Sequence, residues 1–245
     1  MKRLALVTCF VITFAAPSVH AAGVSLSWED CGAHGFERKS FDCASNTIPG
    51  GARMIGSFIP PAGSTAITGE EIVLEFVTWE KSSLPDWWQF KNAGTCRQTA
   101  LSASADFTAY SACTDYWNGL AAGGITGFFW PLNQSSARAR LLIVFAIALV
   151  NATPVDEFTE YYAFRLTMTG QKSVGAGACA GCLDPVSILL SEIKLTQPAG
   201  VGDFRLQIPA SNCIMWQPSS PHASCMYVWD PVRNSTWGAI KAQYR

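Results

Sequence analysis

Alternating apolar and polar residues recur in short blocks along this chain, and they predict β-strands rather than helices. The alternation is clearest over residues 161–169, where every second side chain from Tyr162 to Met168 is apolar. Residues 70–79 show the same period of two. Because successive strand residues point to opposite faces of a sheet, each block predicts a strand with one buried face.

The longest apolar run of the central region covers residues 141–150 and is rich in β-branched and aromatic side chains. Such a run predicts a central strand that is buried on both faces. A buried helix is the alternative, and ten residues are too few to cross a bilayer as a helix.

Shorter strand signals, separated by Gly, Pro and polar clusters, cover residues 25–28, 53–59, 87–91, 100–107, 125–130 and 186–195. The strands at 161–169 and 186–195 flank a Gly-rich connection, and we expect them to form a hairpin. No helical period of any length precedes residue 234. The spacing of the strand signals predicts an all-β fold, an antiparallel β-sandwich of the jelly-roll or immunoglobulin type.

The two ends of the chain differ from its middle. Residues 1–21 start with Lys2 and Arg3 and continue as an apolar run that ends in small residues, which predicts a cleaved signal peptide. Residues 22–233 form one predicted β-sandwich domain, with no transmembrane span after cleavage. Residues 234–245 predict a short C-terminal helix, because their apolar side chains recur with helical spacing.

The charge balance excludes two classes of partner. Loss of Lys2 and Arg3 with the signal leaves 15 basic residues against 18 acidic ones, and no basic run remains. Binding to nucleic acid or to anionic membranes therefore lacks an electrostatic basis.

Cysteine number indicates the compartment. Cys9 lies within the signal, and eight cysteines follow it: Cys31, Cys43, Cys96, Cys113, Cys179, Cys182, Cys213 and Cys225. An even number downstream of a signal predicts disulfides in a secreted or periplasmic protein. Eight cysteines allow many pairings, and we expect sequence neighbours to pair because each spacing suits a local hairpin or loop.

The run from Cys179 to Cys182 has the spacing of redox-active and zinc-binding motifs. A redox pair needs a helix N-terminus to lower a thiol pKa, and a zinc site needs further ligands. Here the run lies between a Gly-rich turn and a predicted strand, and no second ligand pair is present in the sequence. A structural disulfide is predicted, with no metal and no cofactor.

No catalytic residue is assigned. After signal cleavage the only histidines are His34 and His222, which we interpret as solvated loop residues. Neither a nucleophile elbow nor a zinc-protease motif occurs. Adjacent acidic pairs such as Glu70 and Glu71 would point to opposite faces of a strand, so they are poor acid–base pairs.

Tryptophan offers the one indication of ligand binding. All nine tryptophans follow the signal, and exposed indole rings can stack on sugar faces. Trp87, Trp88 and Trp117 are the candidate binding residues, and the alternative is that these rings fill the core. Their solvent exposure distinguishes the two interpretations.

Five segments resemble uncharacterised exported proteins of bacteria: residues 84–90 (LPDWWQF), 94–97 (GTCR), 160–164 (EYYAF), 175–182 (GAGACAGC) and 236–241 (TWGAIK). The resemblance covers the domain in patches and implies no activity. The order of strands is also similar to that of cohesin-like and carbohydrate-binding β-sandwiches, and no binding residue follows from this similarity.

Three hypotheses on function result. The first is a non-enzymatic exported β-sandwich with a structural or interaction role towards a protein or glycan at the cell surface or in the periplasm. The second is a carbohydrate-binding module that uses exposed tryptophans. The third is a secreted hydrolase whose site the sequence does not reveal.

Overall fold

The computed structural model describes residues 22–31, 35–110, 113–207, 209–218 and 225. Within these residues the regular structure is almost entirely β. The strands are β1 (Gly23–Trp28), β2 (Arg38–Lys39), β3 (Ala52–Ile59), β4 (Ala66–Ile67), β5 (Gly69–Val77), β6 (Leu101–Ser104), β7 (Ala122–Phe129), β8 (Arg138–Ala146), β9 (Thr153–Pro154), β10 (Tyr161–Met168), β11 (Val186–Thr196), β12 (Phe204–Leu206), β13 (Pro209–Ser211) and β14 (Cys213–Trp216). Two 3₁₀ turns cover Asp86–Trp88 and Leu149–Asn151.

The strands form two large sheets around one core. The first sheet has the order β13-β1-β3-β10-β6, and the second has the order β2-β14-β11-β5-β8-β7, with β12 added beside β11. A small third sheet pairs β4 with β9. Apolar side chains from both large sheets belong to one hydrophobic cluster. The prediction of an all-β, mainly antiparallel fold is confirmed.

Strand β8 lies between β5 and β7, as expected for the long apolar run, but it begins at Arg138 and ends at Ala146. Its inner face is buried, whereas its outer face is only half-buried, so the prediction of burial on both faces is wrong. No strand of the described residues forms a second layer over this outer face. Arg138 and Arg140 on it form ion pairs with Glu75 of β5, the second at 2.6 Å.

Part-way along strand β11, the side chains in the main hydrophobic core switch from even-numbered to odd-numbered positions. Ile188 pairs with Phe76 of β5, but the register shifts between Leu190 and Glu192, where one extra residue is inserted. A bulge of this kind inverts the alternation. Ile193 is therefore fully buried, while Glu192 lies on the outer face, contrary to the expected alternation of Ile188, Leu190 and Glu192.

Two further predictions are wrong. Strands β10 and β11 do not form a hairpin, because β10 belongs to the first sheet and β11 to the second. Residues 87–91 do not form a strand, because a 3₁₀ turn over Asp86–Trp88 follows Pro85. The predicted signal peptide (1–21) and C-terminal helix (234–245) lie outside the described residues, as do His34 and His222.

The bulge in β11 predicts opposite outcomes for two neighbouring substitutions. Ile193→Ala should lower the free energy of unfolding by about 2–5 kcal/mol, because it leaves a cavity in the core. Glu192→Ala should cost no more than about 1 kcal/mol, because it removes a surface ion pair with Arg205. Urea unfolding of both variants measures the difference, and equal costs would contradict the bulge.

Candidate interaction surface

The tryptophans that could have bound a sugar are core residues. Trp87 and Trp88 have no exposed surface, and Trp117 is 1 % exposed. Trp87 packs against Trp88 and Trp216, at centroid distances of 5.1 and 5.0 Å. The prediction of an exposed stacking face at these residues is therefore not supported.

A buried cation explains why Trp87 turns inwards. The guanidinium of Arg97 lies 3.3 Å from the centre of the Trp87 ring, and Arg97 has no exposed surface. Arg97 donates to the carbonyl oxygens of Trp87, at 3.0 Å, and Thr169. Burial lowers the pKa of Arg97 to about 9. The face of Trp87 thus binds an internal cation instead of an external ligand.

Trp117 belongs to a second buried group that contains an acid. Its ring lies 4.4 Å from that of Tyr116, whose hydroxyl donates to the Glu70 carboxyl. Glu70 is on the inner face of β5 and is 1 % exposed. Burial raises the pKa of Glu70 to about 8, more than the hydrogen bond from Tyr116 lowers it. The carboxyl is therefore mostly protonated at neutral pH.

The four disulfides join Cys31 to Cys113, Cys43 to Cys182, Cys96 to Cys179 and Cys213 to Cys225. Only the last of these pairs joins sequence neighbours, so the neighbour prediction is confirmed there and wrong for the other three. The three long-range links span 82, 139 and 83 residues. The fold brings each of these six cysteines next to a cysteine that is distant in the sequence.

These links account for two sites that could otherwise have bound metal. Cys179 and Cys182 are each bonded to a different distant cysteine, so neither is a free thiol. Asp30, Cys31 and Cys113 have the proximity of a metal site, but the two sulfurs are bonded to each other. A disulfide sulfur is not a thiolate and is a poor metal ligand. Four disulfides also indicate an oxidising compartment, outside the cytoplasm.

The segment that contains Cys179 and Cys182 borders an open cavity of about 550 Å³. Cys43 lines the same cavity, and Lys81 and Asp184 form an ion pair at its wall, with 2.9 Å between Nζ and Oδ2. Both charged groups are therefore already paired. The cavity gives solvent access to the Cys43–Cys182 disulfide.

A second cavity, of about 400 Å³, lies beside strand β7. It is lined by Lys91 and Asn92 on one side and by residues 125–129 of β7 on the other. Within the described part of the chain, β7 pairs only with β8, so its other edge has no strand partner. The cavity is a groove along a free sheet edge.

The groove has one charged side chain, that of Lys91, among uncharged polar and apolar residues. Residues 116–137 contain no charged side chain, and Leu120 and Phe129 are each about half exposed, at 55 and 51 %. Lys91 forms no ion pair with any described residue, and burial lowers its pKa. An unpaired and partly desolvated ammonium group favours an anionic partner. We name this site the β7 groove: Lys91, Asn92 and residues 125–129.

The sequence predicts a strand at residues 125–130, but no pattern in it marks Lys91 or the free edge of β7 as a site. The available signal was the uncharged stretch of 22 residues that ends at Arg138.

Comparison with models of known protein families gives no match, and comparison with curated proteins gives none either. Among solved structures, the chain is similar to a cohesin module from a family 33 glycoside hydrolase of Clostridium perfringens, at 9 % identity and a TM-score of 0.35. That match covers 80 % of this chain and 98 % of the cohesin module. A structure of manganese lipoxygenase from Gaeumannomyces graminis, with a partial structure of zonadhesin from Komagataella pastoris, matches at 11 % identity and a TM-score of 0.23, over 80 % of this chain and 57 % of that one. Neither likeness establishes a family or a function for this chain.

The buried acid predicts a pH dependence of stability. The carboxyl of Glu70 has a pKa of about 8 in the folded chain, against 4.5 as its ordinary value. The folded chain thus holds a proton that the unfolded chain loses, and the free energy of unfolding should fall by up to about 1.4 kcal/mol per pH unit from pH 4.5 to 8.

Glu70→Gln should remove this slope, because the amide cannot ionise and still accepts the bond from Tyr116. Glu71→Gln, on the exposed face of the same strand, is the matched control and should keep the slope. Chemical unfolding at half-unit pH steps measures it. An unchanged slope in Glu70→Gln would show that Glu70 is not the titrating group.

Proposed function

We propose that the chain is an exported, non-enzymatic interaction module that works at the cell surface or in the periplasm. Its partner is a protein that adds an extended segment to the edge of β7, with a carboxylate of that segment next to Lys91. The observation that carries the proposal is the free, uncharged edge of β7 beside an unpaired lysine.

Export is supported by two independent features. The apolar start of the sequence is typical of a signal peptide, and the four disulfides require an oxidising compartment. In the part of the chain that the structure describes, no helix is long and apolar enough to cross a membrane.

The other edges of the two large sheets support the choice of β7. Strand β2 has two residues, both basic, while β13 has three residues and β6 has four. Short and charged edges are the usual protection against pairing with another chain. Strand β7 has eight residues and no charge, and its one bulge is at Thr126. Pairing of an extended segment with such an edge is an established mode of recognition.

Charge complementarity selects the partner. A second copy of this chain paired through β7 would bring no carboxylate, because residues 116–137 have none. Lys91 would then stay unpaired in a closed interface, at a free-energy cost. An extended segment from another protein that carries an acidic side chain, or that ends in its α-carboxylate, satisfies both the edge and the lysine.

The two other hypotheses have no comparable support. The carbohydrate-binding hypothesis depended on exposure of Trp87, Trp88 and Trp117, which are buried. The hydrolase hypothesis needs two facing carboxylates in one cavity. Of the two cavities described above, the one beside Cys43 and Cys182 has a single carboxylate, that of Asp184, and the β7 groove has none.

Photo-crosslinking in intact cells tests the β7 groove directly. A photoreactive residue at Thr126, which is exposed on β7, should give one discrete adduct. The crosslinked peptide should be an extended segment with an acidic residue or a free C-terminus. The same residue at Thr47, exposed in the loop between β2 and β3, should not give this adduct.

Charge reversal at the groove should weaken this adduct. Lys91→Glu should reduce its yield at least tenfold, because it places like charges together, whereas Lys172→Glu at an exposed site elsewhere should not. The proposal fails if the Thr126 and Thr47 positions give the same adducts, or if Lys91→Glu leaves the yield unchanged.

A further inference from the structure

The Cys31–Cys113 disulfide crosses the other two long-range disulfides in the order of the chain. The link from Cys31 to Cys113 passes over Cys43 and Cys96, and both of these cysteines have their partners beyond residue 113. Pairing in order of appearance would therefore produce a different set of disulfides. That set is Cys31–Cys43, Cys96–Cys113 and Cys179–Cys182, with Cys213–Cys225 common to both sets.

Chain statistics favour the neighbour set when an unfolded chain is oxidised. The probability of closing a loop falls as about the three-halves power of its length. The native links of Cys31 and Cys43 close loops of 82 and 139 residues, whereas a bond between the two closes one of about 12. Neighbour closure is therefore favoured roughly ten- to forty-fold for these cysteines. Neighbour pairs also emerge together during export, before their distant partners are available.

We propose that the chain is first oxidised to the neighbour set and reaches its native set by thiol–disulfide exchange that one external thiol starts. The required co-reactant is one thiol, which starts the exchange and is released at its end. This inference is independent of the β7 groove.

A single closed relay converts one set into the other. The external thiolate attacks Cys43, breaks Cys31–Cys43, forms a mixed disulfide on Cys43 and releases the thiolate of Cys31. Cys31 attacks Cys113, which forms the native link and releases Cys96. Cys96 then attacks Cys179, which forms the second native link and releases Cys182.

The final step closes the relay. Cys182 attacks the mixed disulfide at Cys43, forms the third native link and expels the external thiol. Each step breaks one S–S bond and forms another, so the number of disulfides is constant and no net oxidation occurs. The thiol is a catalyst.

The positions of the cysteines in the fold match the order of this relay. Cys31 and Cys113, which join in the first internal step, are each 1 % exposed, so packing of the core protects their link once it forms. Cys43 and Cys182, which join last, line the open cavity of about 550 Å³, as does Cys179 of the preceding step. The external thiol can leave through that cavity when the last link forms.

Refolding of the reduced full chain tests the relay. The chain is oxidised with ferricyanide, which releases no thiol, is freed of small molecules, and is then given reduced glutathione at one tenth of the molar concentration of the protein. Non-reducing peptide mapping should first find Cys31–Cys43 at least tenfold more often than Cys31–Cys113. The small amount of thiol should then convert the whole population to the native set, with Cys213–Cys225 unchanged throughout.

Cys43→Ser gives a sharper outcome. This variant cannot form Cys31–Cys43, so Cys31 starts as a free thiolate and should rearrange the chain to Cys31–Cys113 and Cys96–Cys179 without added thiol. Cys182 should then be the free cysteine. The double variant Cys31→Ser with Cys43→Ser is the control, because it has no free thiol to start the rearrangement and should keep its neighbour pairs.

Two results would overturn the inference. One is direct formation of the native set without neighbour-paired species. The other is conversion that stops at the molar equivalent of the added thiol, because a relay that releases its thiol must turn over.

Discussion

One segment, residues 173–184, contacts the buried tryptophans Trp87 and Trp216, and the rest of the fold depends on it. Its two cysteines are bonded to Cys43 and Cys96, which lie in two other loops. The same segment accepts hydrogen bonds from the core below. The indole of Trp216 donates to the carbonyl of Cys182 at 2.6 Å, and the backbone of Trp87 donates to that of Ala180 at 2.9 Å. By the loop-entropy model, each long-range link stabilises the fold by about 4.5–5 kcal/mol, against about 3 kcal/mol for a neighbour pair.

The disulfides of the 173–184 segment explain how Arg97 and the indole N–H of Trp87 are buried in the core. Arg97 follows Cys96 directly, so the disulfide to Cys179 holds its guanidinium over the Trp87 ring. The indole of Trp87 donates to the hydroxyl of Ser173 at 3.0 Å, in the segment above. This cation, which has no exposed surface, is stabilised by a ring face and two carbonyl oxygens. Reduction would thus release the loops and also expose a buried charge.

The features that could be predicted from the sequence are those set by local periodicity. Strands β5 and β10 are marked by alternation that continues without interruption, and their observed bounds agree with the pattern within two residues. The bulge in β11 could not be predicted, because a one-residue insertion leaves both halves of the strand looking regular. The disulfides were mispredicted because separation along the chain says little about distance between sheets. Burial of the Trp87 ring could not be predicted either, because its contact with the Arg97 guanidinium exists only in the folded chain.

The β7 groove could not be predicted from the sequence for a related reason. Whether β7 is an edge depends on the order of strands in the sheet, and no local pattern encodes that order. Lys91 becomes significant only because it faces this edge across a groove. Among the described strands, β7 is the one long strand at the end of a large sheet.

Disulfide mapping of the protein isolated from cells tests the central claim, that distant loops are covalently joined at the 173–184 segment. Free thiols are blocked during extraction from cells, and the protein is digested without reduction. The structure predicts peptides that join Cys43 to Cys182 and Cys96 to Cys179. A peptide that contains an internal Cys179–Cys182 bond as the main species would contradict it.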